Sequence, residues 1–556
     1  MIEDYKSQIA KVCSAVIGQD IDIELSRPEE GFGDLTTNVA MKLAKARGEN
    51  PHKLASQIAK NLEDIQDVSS AVVAGPGFIN ITLTDQAILK STLDASKINK
   101  TLAGQQIVAE YSDPNPFKIL HAGHLYSSLV GDGIANLLET AGAEVHRVNF
   151  GGDVGLHVAK TMWAILGQLG GEHPDKLAKI TDKDKLKWLS DRYVEGNQAY
   201  ENNQSAKPQI ISINKRVYKL HEDQDNTSPF AQIYWTCRQW SYDSFDALYA
   251  RLQMQPFEKY YPESAVSGRG LSTVNEGLKK GIFKESDGAV IFEGSSQDIH
   301  TRVFINSEGL PTYEAKDLGL ALTKWDDYHF DKSLIITGNE IAQYMQVVLA
   351  ALKHFEPKAT KRTIHRTHGQ IKLAGGVKMS SRRGNILTAD DVLDAAFAAS
   401  QKQGNQDEDV VLGAVRYSFL KTRLGGDIIY NPQESVGLEG NSGPYIQYAL
   451  VRARSIIKKA DKTEARDADN LEPAERSLAR SIGLYPEVFE TALSSYSPHY
   501  ICNYLYELAQ SFNRFYETNR VIDDPRAGER LALVKAYEQV LSNGLDVLGM
   551  PKPEKM

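Results

Sequence analysis

QQIVAEYSDPNPFKILHAGHLYSSLVGDGIANLLETAGAEVHRVNF, residues 105–150, decides the fold. QQIVAEYS is a β run, and the two prolines of DPNPFK make the next segment a loop. HAGHLYSSLVGDGIANLLETAG has helical periodicity and closes on Gly142, a glycine C-cap. AEVHRVNF is the next strand. Strand, helix and strand in so short a stretch form a βαβ unit, so a parallel sheet covered by helices is expected.

Before this unit, residues 1–100 read as a small α+β domain. Helical periods run over 2–17, 36–47 and 51–63, and Gly75-Pro76-Gly77 opens a strand over 78–83. After it, residues 101–387 carry the parallel sheet. A polar, helical insertion fills about 161–260, and the β texture resumes at SLIITG (333–338) and TIHRTHGQIKL (363–373). From 388 the pattern is helical almost to the end. It divides into 388–440 and 441–556, with GLEGNSGP (437–444) as the hinge.

Composition bounds the function. At roughly 150 residues per domain, 556 residues suggest three or four domains. With 42% hydrophobic and 24% charged residues the chain is globular, not disordered or collagenous. A net charge of −9 argues against general nucleic-acid binding but leaves room for a local basic groove. Cys13, Cys237 and Cys502 are too scattered for a disulfide framework or a structural zinc, and they suit a reducing cytoplasm. No apolar run nears the ~20 residues of a membrane helix. The charged opening MIEDYKSQIA has no secretory h-region.

The chemistry sits in three places. His121-Ala122-Gly123-His124 falls where a loop meets a helix N-terminus, which favours phosphate through free N–H groups and the helix dipole. Gly123 leaves room for a flat base or ribose. Lys378-Met379-Ser380-Ser381-Arg382, in the glycine-bounded stretch GGVKMSSRRGN, can close over a triphosphate, with Lys378, Arg382 and Arg383 as counter-charge. Either motif alone is short, and a basic loop is usually only a solvated one. Gly338-Asn339-Glu340 ends the LIIT strand and puts a carboxylate where a doubly wound sheet binds nucleotide ribose.

Together, H-x-G-H after the first strand and K-M-S-x-[KR] after the last resemble the paired signature of class I aminoacyl-tRNA synthetases. EGFGDLTTNVAMKLAK, VAGPGFINITL, EYSDPNPFKILHAGHL, EGLPTYEAKDLGLAL, GNSGPYIQYALVRARSI and YLYELAQSFNRFYETNRVI resemble the arginyl-tRNA synthetase family over nearly the whole length. The resemblance implies an α/β multidomain protein. A Rossmann-like catalytic domain would carry an α+β N-terminal domain that meets the tRNA elbow and an all-α C-terminal anticodon-binding bundle. It implies activation of L-arginine with ATP to arginyl-adenylate, dependent on bound tRNA. Transfer to the 3′ end of tRNA(Arg) would follow, releasing AMP and diphosphate. ATP is a substrate, Mg2+ comes bound with it, and no zinc is expected. A monomer is expected.

By the same resemblance, His121, Gly123, His124, Gly338, Glu340, Lys378, Met379 and Ser380 bind ATP. Lys118, His121, His124, Lys378 and Arg382 act in catalysis. Glu110, Asn115, Tyr313 and Asp317 hold arginine, and their types suit it: carboxylates pair a guanidinium bidentately, and a phenol ring stacks on its plane. Phe78 and Asn80 face a D-loop base, and Tyr445, Tyr448 and Arg452 line the anticodon site. Residues 441–556 hold 15 Lys+Arg, 16 Asp+Glu, 9 Tyr and 3 Phe, so platforms for unstacked bases are plentiful although most serve a helical core.

Three departures from the family pattern stand out. Ser381 replaces a second loop lysine, and Lys118, three residues before His121, is expected to share the phosphate charge with Lys378. Ile341 and Tyr344 stand where the family has Gln and His, so Glu340 or Gln343 is expected to take over one contact to the substrate's amino group. Val154 and His157 stand where the family commonly has Trp and Gln. A small-molecule nucleotidyltransferase also uses H-x-G-H, but such enzymes rarely carry terminal domains of this kind. The intact Lys118, His121, His124 and Lys378 argue against a non-catalytic paralogue.

Overall fold

The computed structural model describes residues 2–294, 298–373, 387–460, 463–466, 468 and 470–556. The chain opens with β1 (Leu35–Thr37), β2 (Val68–Ala74) and β3 (Phe78–Leu83), an antiparallel sheet in the order β1-β3-β2. Helices Ile2–Ile17, Val39–Arg47 and Pro51–Leu62 pack around it. In β3 the side chains alternate: Ile79, Ile81 and Leu83 are buried, while Phe78, Asn80 and Thr82 face the other side. The helix expected from residue 36 starts only at Val39. Thr36 and Thr37 belong to β1, opposite Asn80 and Ile79, because β-branched residues fit a sheet better than a helix start.

The next strands are β4 (Gln106–Glu110), β5 (Glu144–Gly151), β6 (Lys259–Pro262), β7 (Lys284–Ser286), β8 (Ala289–Phe292), β9 (Arg302–Ile305), β10 (Lys332–Gly338) and β11 (Thr363–His368). Five of them form a parallel sheet in the order β11-β10-β4-β5-β6. The chain runs outward from β4 to β6, then crosses back to build β10 and β11 on the other side. The order therefore reverses between β4 and β10, and a crevice opens at their carboxyl ends. Helix Ala122–Thr140 crosses from β4 to β5 and is buried on nearly every side, against the sheet and against the C-terminal helices.

The β5–β6 crossover carries helices Leu156–Leu169, Lys185–Asn202, Ala206–Glu222 and Pro229–Arg251, which have their own core. Phe117 and Val154, from the loops after β4 and β5, are buried in that core, so the insertion braces both loops. The small antiparallel sheet β7-β8-β9 is absent from the sequence reading; its strands are too short for a period to show.

Beyond the sheet, β12 (Ile371–Leu373) pairs in parallel with β13 (Ile428–Tyr430). The segment from 388 is thus helical except at IIY, where Ile428 and Tyr430 point inward and an exposed Ile429 points out. Among the described residues no helix is long and apolar enough to cross a membrane.

One arginine ties four parts together. Arg416 is fully buried; its Nη1 donates to Asp132 Oδ2 at 2.8 Å and to the Leu548 carbonyl, and its Nε and Nη2 donate to the Leu252 carbonyl. Arg147 adds a second cation 3.5 Å from Asp132. The N-terminal unit is clamped on the C-terminal helices by Arg476, which pairs with Asp34 at 2.6 Å and with Asp85, and by Arg27 with Glu487 at 2.6 Å. Removing one partner of a buried ion pair leaves the other charge and its carbonyls stranded. Arg416→Ala should therefore cost about 3–5 kcal/mol in the first urea-unfolding transition. Arg416→Lys should restore little of it, because one ammonium cannot reach all three acceptors.

Candidate active site

At the reversal point lies a cavity of about 520 Å³, walled by the carboxyl ends of β4 and β10 and by the N-terminus of helix Ala122–Thr140. His121 is that helix's N-cap. Its Nδ1 accepts from the Gly123 N–H at 3.1 Å, and the His124 Nδ1 accepts from the His121 N–H at 3.3 Å. Each imidazole thus spends its Nδ1 lone pair on the backbone. Burial, with Lys118 nearby, pushes His121 down to about 4; burial, with His121, Lys118 and His368 nearby, holds His124 well below the usual range. Both rings are neutral with the proton on Nε2, so each offers an Nε2–H donor, and they lie 3.9 Å apart.

Gly123 serves this arrangement directly. A Cβ there would sit 2.8 Å from the His121 ring, so the glycine makes room for histidine. Gly338 does the same for Glu340, since a Cβ at 338 would lie 2.4 Å from the Glu340 carboxylate. Both line the cavity.

The opposite wall is acidic. Glu110 at the end of β4 is buried and paired with Lys324, which also reaches Ser333. Glu263 is paired with Lys316 at 2.6 Å. Asp317 accepts from the Tyr344 hydroxyl, and burial, reinforced by Glu110 and Glu263, pushes it up to about 8. Asp113 lies beside Glu110 with one oxygen on the Phe150 N–H at 2.8 Å; burial and Glu110 hold its carboxyl well above the usual range. Asn115 faces the cavity with Oδ1 on the Gly152 N–H at 2.8 Å. Tyr313 is half exposed at the rim, four residues from Asp317 on one helix, and both line the cavity. Ser112, Asp113 and Phe117 have φ of 74°, 48° and 65°, a sparsely populated region held here by the hydrogen bonds of Asp113, Asn115 and the Phe117 N–H to Ser241 Oγ.

Some sequence expectations fall elsewhere. Lys118 lies over the Tyr193 ring of the insertion at 5.6 Å, near enough to depress both signature histidines but outside the cavity lining. Lys378, Met379, Ser380, Ser381, Arg382 and Arg383 lie outside the described residues. Val154 is core, and His157 braces the Gly152 carbonyl with Nε2 at 2.7 Å without lining the cavity. Ile341 and Tyr344 line it and Gln343 does not. The sequence reading missed Asp113, Arg302, Lys316 and Lys324, and missed Tyr344 as a partner of Asp317. EYSDPN gave the one usable signal, a second acid near Glu110; the other pairings join segments far apart in the chain.

A second groove of about 790 Å³ lies between helices Gly443–Lys459 and His499–Thr518. Arg452 sits there 4.9 Å from the Tyr516 ring centroid and 5.8 Å from that of Tyr448, and donates to Asn513 at 3.0 Å. Lys459, Tyr516 and Arg520, which no local pattern singled out, share the lining; Tyr445 stands behind it, its hydroxyl accepting from Asn513. On the N-terminal sheet Phe78 is exposed beside Val72, and the Asn80 Oδ1 accepts from Thr36 at 2.7 Å.

The profile of the family described as tRNA synthetases class I (R), catalytic domain, matches residues 86–429. The DALR anticodon binding domain matches 446–556, and the arginyl tRNA synthetase N terminal domain matches 3–83. The chain is 30% identical over 555 residues to an arginine–tRNA ligase of Bdellovibrio bacteriovorus, covering 95% of this chain and 93% of that one. It is 28% identical to that of Porphyromonas gingivalis over 100% of both. Its fold is similar to Thermus thermophilus arginyl-tRNA synthetase, with a TM-score of 0.80 at 24% identity over 100% of both chains. The catalytic-domain match, laid over a reversed parallel sheet with histidines at its first helix terminus, makes this a class I aminoacyl-tRNA synthetase. Within that class, the chain belongs to the arginyl-tRNA synthetase family.

Asp317 must lose its proton to pair with a guanidinium. An acid whose pKa is raised in the empty cavity is protonated below that value, so a cation that binds its charged form releases the proton. With Glu110, Glu263, Lys324 and Tyr344 as its charged and titratable neighbours, arginine affinity should rise as the pH climbs from about 6 toward 8. The gain should be up to about tenfold per pH unit, levelling off above 8, and Asp317→Asn should flatten the slope. Calorimetric titration of arginine across this range checks it.

Proposed function

We infer that this chain charges tRNA(Arg) with L-arginine in two steps. The observation that carries the reading is one cavity joining two neutral Nε2–H histidines at a helix N-terminus to a wall of four carboxylates, two of them without a cation among the described residues. ATP takes the first end and a guanidinium the second. Arginine's carboxylate attacks the α-phosphorus in line; the α-phosphorus–oxygen bond to pyrophosphate breaks, and pyrophosphate leaves with its electron pair. No covalent enzyme intermediate is needed, so the protein contributes orientation and charge stabilisation. The Nε2–H groups of His121 and His124 donate to phosphate oxygens, and Gly338 and Glu340 hold the ribose. Lys118, supported by Lys378 and Arg382, offsets charge on the departing pyrophosphate, and Met379 and Ser380 complete the nucleotide loop. Magnesium arrives on the ATP phosphates and adds Lewis-acid charge there. Glu110, Asp317 and Tyr313 hold the guanidinium, and Asn115 the substrate backbone. The terminal ribose hydroxyl of the tRNA then attacks the adenylate carbonyl and AMP leaves.

The terminal parts place the tRNA. Residues 1–100 meet its elbow through Phe78 and Asn80, and 441–556 meet the anticodon in the Arg452 groove. Residues 101–387 perform the chemistry, and 388–440 connect it to the anticodon end. The exposed aromatic–guanidinium stack supports the anticodon assignment, because unpaired bases stack on such planes. The chain acts as a monomer in this reading, and the reaction belongs in the cytoplasm with its tRNA.

Charging assays with purified chain, ATP, magnesium, cognate tRNA and each of twenty amino acids should yield product with arginine alone. Charging of another amino acid instead would defeat the reading. Arg452→Ala should raise the Michaelis constant for tRNA by about 5- to 160-fold, the loss of a contact worth about 1–3 kcal/mol. It should leave the constants for ATP and arginine unchanged, as steady-state kinetics with each substrate varied in turn will show.

A further inference from the structure

Every reactant in the proposed reaction is anionic somewhere: ATP at its phosphates, arginine at its carboxylate, and the tRNA along its phosphodiester backbone. The first two groups belong at the helix N-terminus, because the carboxylate attacks the α-phosphorus held there. The tRNA comes from outside, and its last phosphate enters with the terminal ribose. Among the described residues, one Lys or Arg side chain lines the cavity, Arg302. Lys316 and Lys324 are committed to Glu263 and Glu110, and neither they nor Lys118 line it.

Arg302 opens β9, which runs beside the segment leading into Tyr313. There the Thr312 N–H donates to the Phe304 carbonyl at 2.9 Å, and the Thr312 hydroxyl donates to the Val303 carbonyl at 2.7 Å. The Arg302 side chain stands at the rim with 37% of its surface exposed, and on the inner side the Tyr344 ring centroid lies 5.8 Å away. Its one ion pair is long, with Nη1 3.5 Å from Glu314 Oε1, so most of its N–H donors have no acceptor among the described residues. Val303 and Tyr313 are exposed beside it, apolar surface of the kind a nucleotide base covers. A loosely held guanidinium matches a phosphate, whose oxygens can take two parallel N–H bonds. We propose that Arg302 anchors the last phosphodiester of the tRNA and so aims the terminal ribose hydroxyl at the adenylate carbonyl. This assignment rests on the reading of the cavity as the seat of both steps. The guanidinium stays charged throughout and exchanges no proton; it holds the acceptor while AMP departs.

The test pairs Arg302→Gln in the full chain with a tRNA(Arg) whose last internucleotide phosphate is replaced by an uncharged methylphosphonate. Glutamine keeps a hydrogen-bonding side chain and removes the charge. With ATP and arginine saturating, each change alone should lower kcat/KM for tRNA by about 5- to 20-fold. The two together should lower it no further than either alone, because both remove the same contact. Arg302→Lys keeps the charge and should remain sensitive to the methylphosphonate. The Michaelis constant for ATP should stay at its wild-type value in both variants, the sign of an intact fold. Losses that multiply when the changes are combined, or an Arg302→Gln enzyme that charges unmodified tRNA normally, would overturn the assignment. So would a wild-type enzyme that charges the methylphosphonate tRNA as fast as the unmodified one. A wild-type chain that fails to charge unmodified tRNA with arginine would instead bring down the reading of the cavity itself.

Discussion

Two backbone hydrogen bonds at the start of helix Ala122–Thr140 carry more of this protein's chemistry than any other contact. Four N–H groups at a helix N-terminus lack partners, and here two of them go to the Nδ1 atoms of His121 and His124. That choice stops the helix, orients both rings and leaves each Nε2 as a hydrogen-bond donor. It also needs neutral rings, which burial and the nearby Lys118 enforce. A protonated pair would lose both caps, because imidazolium has no lone pair to give.

The helix that begins with this cap is also the hub of the molecule. It is buried on nearly all sides, so a polar residue within it must be satisfied. Asp132 meets that demand at Oδ2 with a hydrogen bond from Arg416, while Arg147 lies at ion-pair distance from Oδ1, and Arg416 also donates to carbonyls at the end of the insertion and near the C-terminus. Satisfying one buried carboxylate thereby fixes the catalytic sheet, the insertion and the anticodon end relative to one another. At the far side, Arg476 and Arg27 lock the N-terminal sheet onto the same helical bundle.

The acidic wall shows a different economy of charge. Glu110 and Glu263 are fully buried and each is paired with a lysine, so neither charge is stranded. Asp113 and Asp317 have no such ion pair among the described residues, and burial holds both carboxyls above the usual range.

Much of this was legible in the sequence, because it rests on local rules. The βαβ unit follows from apolar periodicity, the helix start at His121 from the loop before it, and the alternation of β3 from FINITL. The resemblance to the family marked Glu110, Asp317, Tyr313 and Arg452, and their side-chain types agreed with it. What the sequence could not supply are relations across the chain. Lys324 answers Glu110 only because helix Tyr313–Tyr328 packs on β4, and Tyr344 reaches Asp317 only because that helix meets helix Ala342–Leu352. Tyr516 joins Arg452 from a separate helix. Thr36 and Thr37 became strand against a helical pattern because β3 offered unpaired backbone groups. A sequence determines which groups a residue carries and the local turn it prefers. Which buried charge finds which partner is decided when the sheet closes, since pairing free energy depends on distance and desolvation that exist only in the folded chain.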